Sequence, residues 1–187
     1  MKIKLFSFLL AMFAVANLVA QESDNSVIRV ILSGYSEKVY SSEAVTDQQL
    51  DQILRCGVKA PSARNLQPWR FTVVRDEAVM KEVIGDVVPG NVLVVVSGNE
   101  SESGATPDFD CGLATESMFV AAHGLGLGAR IYSSPAGKLN ARREFFGIPE
   151  GYKAVAVLRI GQVDKSVDGV TAATPRKSLE EVVHFRD

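Results

Sequence analysis

The side chains best equipped for chemistry in this chain stand between two prolines. In Ala60-Pro61-Ser62-Ala63-Arg64-Asn65-Leu66-Gln67-Pro68-Trp69-Arg70-Phe71, donors and acceptors come from Ser62, Arg64, Asn65 and Gln67 within one short connection. Proline fixes φ and removes a donor, so the segment is expected to be a pre-ordered extended turn rather than the interior of a helix or strand. Such a turn can hold a polar ligand, because loops that carry function are positioned by the rigid elements on either side. It can equally be a rigid connector in which Trp69 packs in the core and Asn65 satisfies the local backbone. Composition alone leaves both readings open.

The rest of the inventory excludes several chemistries. Cys56 and Cys111 lack CxxC spacing and are accompanied by two histidines, so neither a Cys/His zinc site nor a disulfide scaffold can be assembled from them alone. There is no Gly-x-Ser-x-Gly elbow and no Ser/His/Asp or Cys/His set in a recognisable context, and no catalytic side chain is assigned. Both cysteines fall in helical segments and read as small buried hydrophobes, with Cys111 near a helix start, where the dipole would lower a thiol pKa. His123, at the end of an apolar helix, reads as a favourable dipole contact. The glycines of Gly124-Leu125-Gly126-Leu127-Gly128 follow a helix and lead into a strand, the reverse of the order in a dinucleotide-binding loop. They are expected to end the helix and to let it pack closely on a sheet.

The elements that must position these residues alternate in type. Thr46-Asp47-Gln48-Gln49 is a capping box, followed by a stripe of Leu50, Ile53, Leu54, Gly57 and Val58 that marks a helix ending before Pro61. Phe71 to Val74 reads as a strand, Asp76 caps a helix running through Ile84, and the β-branched run Val92 to Val96 suits a strand covered on both faces. A long helix begins at Asp108 or Asp110, with Leu113, Ala114, Met118, Ala121, Ala122 and Leu125 as its apolar positions. Ala129 to Tyr132 is a strand, Lys138 to Phe146 a helix stopped by Gly147, and Ala154 to Ile160 a further strand.

Lys2 and Lys4, the apolar run from Leu5, small residues at Ala14, Ala16 and Ala20, and the polar stretch from Gln21 read as a secretory signal peptide over residues 1–20, cleaved after Ala20 or Ala16. Cleavage implies an exported protein, periplasmic or secreted, with no stable membrane anchor; without it the protein is cytoplasmic or membrane-associated. Residues 26–187 carry no low-complexity linker, repeat or shift of composition and read as one domain. An apolar fraction of 47% against 22% charged residues suffices for a core and excludes disorder for the whole. Twenty Lys+Arg against 22 Asp+Glu give a net charge of −2 without a polybasic block, which argues against nucleic acid as a partner.

The stretch from Ala60 to Trp69 resembles the Ala-Pro-Ser-x-x-Asn-x-Gln-Pro-Trp signature of the nitroreductase family of flavoproteins. The segments after it follow in the family's order: Asp110-Cys111-Gly112-Leu113-Ala114 through Gly128 is similar to its central helix and glycine-rich exit, and Gly147-Ile148-Pro149-Glu150-Gly151-Tyr152 and Arg176-Lys177-Ser178-Leu179-Glu180-Glu181-Val182-Val183 to its closing pattern. The resemblance runs from Val27 to the end of the chain. It implies an α+β fold, a three-layer α/β/α sandwich assembled as an intertwined homodimer with FMN at each subunit interface. It implies a two-step exchange in which NAD(P)H reduces FMN and a small organic acceptor, a nitroaromatic, quinone or enone, then takes the same face.

Residue by residue, the family's early Arg-Arg-Ser-x-Arg motif, or its variant with Lys last, falls on Gly34-Tyr35-Ser36-Glu37-Lys38; Ser36 and Lys38 match and the two leading arginines do not. By the resemblance, Lys38 faces the N1/O2 edge of the flavin and Arg176, assisted by Lys177, meets the phosphate. Ser62 and Asn65 reach the flavin of the partner subunit, and Tyr132, Ser133 and Ser134 lie towards N5/O4. Loss of the arginines at Gly34 and Tyr35 leaves a second reading, an exported protein of the same fold that binds or sequesters flavin without turnover.

Overall fold

The computed structural model describes residues 25–99, 106–167 and 174–186. The signal peptide expected over residues 1–20 lies outside them. The run of valines after Asn91 becomes the central strand of an antiparallel sheet. Strands β1 (Trp69–Val74), β2 (Val92–Asn99), β3 (Gly128–Tyr132) and β4 (Tyr152–Gly161) are ordered β1-β2-β4-β3.

Because side chains alternate across a strand, β2 feeds two cores at once. Val92, Val94 and Val96 pack with Leu50, Ile53, Met118 and Ala122 from helices α2 (Asp47–Val58) and α4 (Pro107–Gly124). Leu93 and Val95 pack on the other face with Met80 of α3 (Glu77–Val83), Leu139 of α5 (Ala136–Ala141), Phe146 and Ile148. Each such buried aliphatic side chain contributes about 1.5–3 kcal/mol, so the two-sided burial of β2 is what binds helix, sheet and helix into three layers.

The capping box forms as the spacing implies: Thr46 Oγ1 accepts the Gln49 amide at 3.2 Å and Gln49 Oε1 accepts the Thr46 amide at 3.0 Å. Gly57 lets α2 meet α4, since a Cβ there would stand 2.7 Å from Met118 Cγ. Val58, expected on the buried stripe, is 55% exposed and lines an open cleft with Leu54, Trp69 and Phe71. Helix α4 begins at Pro107 with Thr106 before it, which puts Asp108 and Asp110 inside the first turn rather than at the cap. The helix expected from Lys138 to Phe146 instead spans Ala136–Ala141. Asn140 is pinned to β4 through paired bonds to the Ala154 backbone, at 2.7 and 3.1 Å, and a turn follows to Gly147 at φ 65°.

Two further helices flank this body. α1 (Ser26–Ser33) is capped by Asn25, whose side chain accepts the Val27 and Ile28 amides, and α6 (Leu179–Val182) lies in the C-terminal tail. Neither buries a residue within the chain.

Candidate cofactor site

Residues 37–41 run beside the sheet as an added edge: the Glu37 amide donates to the Ala129 carbonyl at 3.0 Å and Tyr40 bridges to Val163. Alternation in this extended segment sends Glu37 inward, to 1% exposure, and leaves Ser36 and Lys38 exposed on the other side. Glu37 is fully served. Its Oε2 accepts the Tyr35 hydroxyl at 2.7 Å and its Oε1 accepts the Lys38 and Val39 amides at 2.8 Å each. Gly128 makes the seat, because a Cβ there would fall 2.6 Å from Glu37 Cγ.

Ser36, Lys38, Thr174 and Arg176 close with Tyr35 around a cavity of about 50 Å³. Two cations and two aliphatic hydroxyls around so small a space form a donor set suited to an oxyanion. The structure thus brings together three of the residues singled out in the sequence, Ser36, Lys38 and Arg176, from opposite ends of the chain.

Beneath the segment, Tyr40 lies under the guanidinium of Arg159, 4.1 Å from the ring centroid. Arg159 is itself buried in β4, donating to Asn91 Oδ1 at 2.8 Å and to the Asp86 carbonyl at 2.9 Å, with Asp86 Oδ2 at 3.3 Å. His123 stands edge-on to Phe119, ring centroids 4.5 Å apart, and 5.9 Å from Tyr35. Burial lowers its pKa, against weaker opposing effects of the Tyr35 backbone and Glu37, so the dipole contact expected of a charged histidine is replaced by neutral packing.

The turn between the prolines forms a second polar surface. Ser62 is extended, residues Ala63–Asn65 make one 3₁₀ turn, and Arg64, Asn65 and Gln67 take φ of 52°, 57° and 50°. Positive φ at non-glycine residues costs on the order of 1–3 kcal/mol each, and strain of that kind is characteristic of ligand clamps. Ser62 Oγ accepts the Gln67 amide at 3.0 Å, and the Asn65 carbonyl accepts Gln67 Nε2 at 3.3 Å. Trp69 is buried, as the connector reading expects.

Within one chain the two polar surfaces are far apart. The turn leads into β1, at one edge of the sheet, while the Ser36–Lys38 segment borders β3, at the other. Along α4, the turn touches Asp110 near the start and Gly34 approaches His123 near the end, roughly 20 Å further on by helix rise. Tyr132 packs against the α3/α5 core with its hydroxyl buried and unpartnered, and Ser133 and Ser134 are exposed at the end of β3.

Of the two cysteines expected to be buried, Cys111 is and Cys56 is not. Cys56 is exposed on α2. Cys111 is buried, and burial, with Asp108 and Asp110 adding to it, pushes its thiol up to about 12, the opposite of a helix-start activation. Glu37 is hidden in the sequence at the variable position of its motif, and Asp110 reads there only as a helix-start residue of the central helix.

The chain matches the model of the Nitroreductase family over residues 31–91 and 89–162, and it belongs to that family. Among curated relatives, a protein of Archaeoglobus fulgidus that carries the provisional name NADH dehydrogenase/NAD(P)H nitroreductase is 33% identical over 146 residues, covering 72% of this chain and 83% of the relative. Among solved structures, a protein of Desulfovibrio desulfuricans, provisionally named a nitroreductase and in complex with FMN, is 25% identical with a TM-score of 0.73 over 88% of this chain and 99% of that one. A nitroreductase with bound FMN from Bacteroides fragilis shares the fold at 20% identity, TM-score 0.69, over 87% of this chain and 100% of that one. The three-layer α+β architecture expected from the sequence is the fold of these proteins.

Proposed function

We propose that this protein is an FMN-dependent oxidoreductase that passes reducing equivalents from NAD(P)H to a small organic acceptor, a nitroaromatic, quinone or enone. The observation that carries this reading is the cavity formed by Ser36, Lys38, Thr174 and Arg176 in a chain of this family. FMN would supply the hydride and electron chemistry, and the protein binds, orients and sets the local charge.

The residues fit the anionic end of that cofactor. A cavity of about 50 Å³ exceeds the roughly 30 Å³ share of one liquid water and suits a phosphate, but it does not hold an isoalloxazine ring. Arg176 would meet the cofactor's phosphate and Lys38 the N1/O2 edge, which gains negative charge on reduction. Ser36 and Thr174 add hydroxyls to the same set.

Homodimerisation completes the site in this reading. Ser62 and Asn65 stand too far from Lys38 to share a ligand with it inside one chain, so they serve the flavin held by a second copy. The surfaces that such a partner would cover are exposed and apolar: Val27, Ile28, Ile31 and Leu32 on α1, and Leu179, Val182, Val183 and Phe185 in the tail, the last at 84% exposure. Burying them in an intertwined interface of the obligate class removes apolar area from water, the dominant favourable term in association. Export through the signal peptide at residues 1–20 belongs to the same proposal.

The test is purification of the mature chain with flavin analysis and light scattering. A yellow dimer whose released cofactor is FMN supports the reading; a colourless monomer that takes up no added FMN at micromolar concentration overturns it. One observation favours the second reading, a flavin-holding protein without turnover: Tyr35 stands where the family carries arginine, and its hydroxyl is committed to Glu37. Tight FMN binding with no reduction by any donor would decide for it.

A further inference from the structure

Asp110 is fully buried, and nothing in the site described above uses it. Both oxygens of its carboxylate accept backbone amides, Oδ1 from Ala63 at 3.1 Å and Oδ2 from Thr106 at 3.4 Å. The Thr106 contact closes the start of its own helix, which needs no buried charge, since capping oxygens ordinarily sit at the exposed N-cap itself. The Ala63 contact crosses to another element. Ala63 is the first residue of the strained turn that presents Ser62 and Asn65.

Among the described residues, the other bonds of that turn are internal to it. The Asn65 amide donates to the Ser62 carbonyl, the Leu66 amide to the Ala63 carbonyl, and the Gln67 amide to Ser62 Oγ. These preserve the shape of residues 62–67 without fixing where that shape stands. At the far end the Pro68 carbonyl accepts the Asn99 amide, so the bond to Asp110 anchors the near end, directly beside Ser62. Burying a carboxylate is costly, and a position in the first turn of α4 with one amide from that turn's start and one from Ala63 offsets it.

We infer that Asp110 is a positioning residue for the cofactor, taking the Ala63 amide so that the strained turn is held against α4 and Ser62 and Asn65 are presented in fixed geometry to the flavin of the partner copy. The inference rests on the flavin-binding reading above and assigns no contact between Asp110 and the flavin.

The bond can be removed from either side. Asp110→Ala deletes the acceptor. Ala63→Pro deletes the donor while leaving α4 untouched, and the site suits proline: Ser62, before it, is extended at φ −144° and ψ 158°, and position 63 opens a helical turn. Three readouts on the full chain separate the possibilities: FMN titration, the thermal midpoint, and tryptic cleavage after the exposed Arg64 in flavin-free protein.

Each single variant is expected to weaken FMN binding by roughly tenfold or more, the loss of one charge-assisted bond. The double variant should bind no more weakly than the worse single one, because both delete the same contact. Cleavage after Arg64 should accelerate in both. FMN affinity equal to the parent's in Ala63→Pro, or losses that multiply in the double variant, would overturn the inference. Should Asp110→Ala fail to fold, Ala63→Pro decides alone. If the parent binds no flavin, the functional reading fails, and the cleavage rates still report whether Asp110 holds the turn.

Discussion

Tyr35 and Glu37 form a closed pair under the candidate phosphate cavity, the phenol hydroxyl donating to Glu37 Oε2 at 2.7 Å while Oε1 takes the amides of Lys38 and Val39. A buried carboxylate is tolerated only when its lone pairs are occupied, so this pair sets the course of the backbone that carries Ser36 and Lys38. Tyr35→Phe keeps the ring and deletes one charge-assisted bond. Stability to urea should fall by about 1.5–3 kcal/mol, and an unchanged midpoint would show that Glu37 does not depend on Tyr35.

Removing the cavity's cations separates binding from charge control. Arg176→Ala and Lys38→Ala should each weaken FMN by roughly ten- to a hundredfold, since both line the same small space and each loses a charge-assisted contact. Lys38→Ala should in addition lower the flavin's reduction potential, because a cation near the reduced ring favours its anionic form. FMN titration and potentiometry on the two variants check this. If Arg176→Ala binds FMN like the parent, the phosphate is held elsewhere, with Arg64 and Arg29 the next residues to replace.

His123 gives the fold a pH dependence whose sign follows from its burial. Its pKa in the folded chain lies below the ordinary value near 6.5, so between the two values the unfolded chain binds a proton that the folded chain refuses. Stability is therefore full above about pH 6.5 and is lost as pH falls from there towards the folded value. Tyr35, Glu37 and Phe119 face the ring, and Glu37 opposes the shift without cancelling it. Denaturant unfolding at about pH 7.5 and about pH 5.5 should show a larger loss in the parent than in His123→Leu; equal losses would contradict the assignment.

How much of this was legible in the sequence depends on whether the signal was local. The capping box at Thr46, the glycine exit after α4 and the doubly buried run of β2 were readable because short-range patterns determine them. The polar turn from Ser62 to Gln67 was readable as a candidate site, but not the positive φ of Arg64 and Gln67, residue types that do not announce it as Asn65 can. The surroundings of Val58, Cys56 and the short α5 are set by contacts with other elements, such as the bonds from Asn140 to Ala154, and not by their own periodicity. Glu37, Asp110 and Arg159 look like surface charges in a linear chain. Their burial depends on partners distant in sequence or on main-chain amides that leave no mark in composition.

Turnover of a flavin held by this chain decides the proposed function. Its most direct test is anaerobic stopped-flow mixing of the FMN-loaded dimer with NADH and, separately, with NADPH, followed by addition of a nitroaromatic or a quinone. The flavin band is expected to bleach with at least one nicotinamide donor and to return on adding the acceptor. A band that persists with both nicotinamides and with a chemical reductant would contradict it.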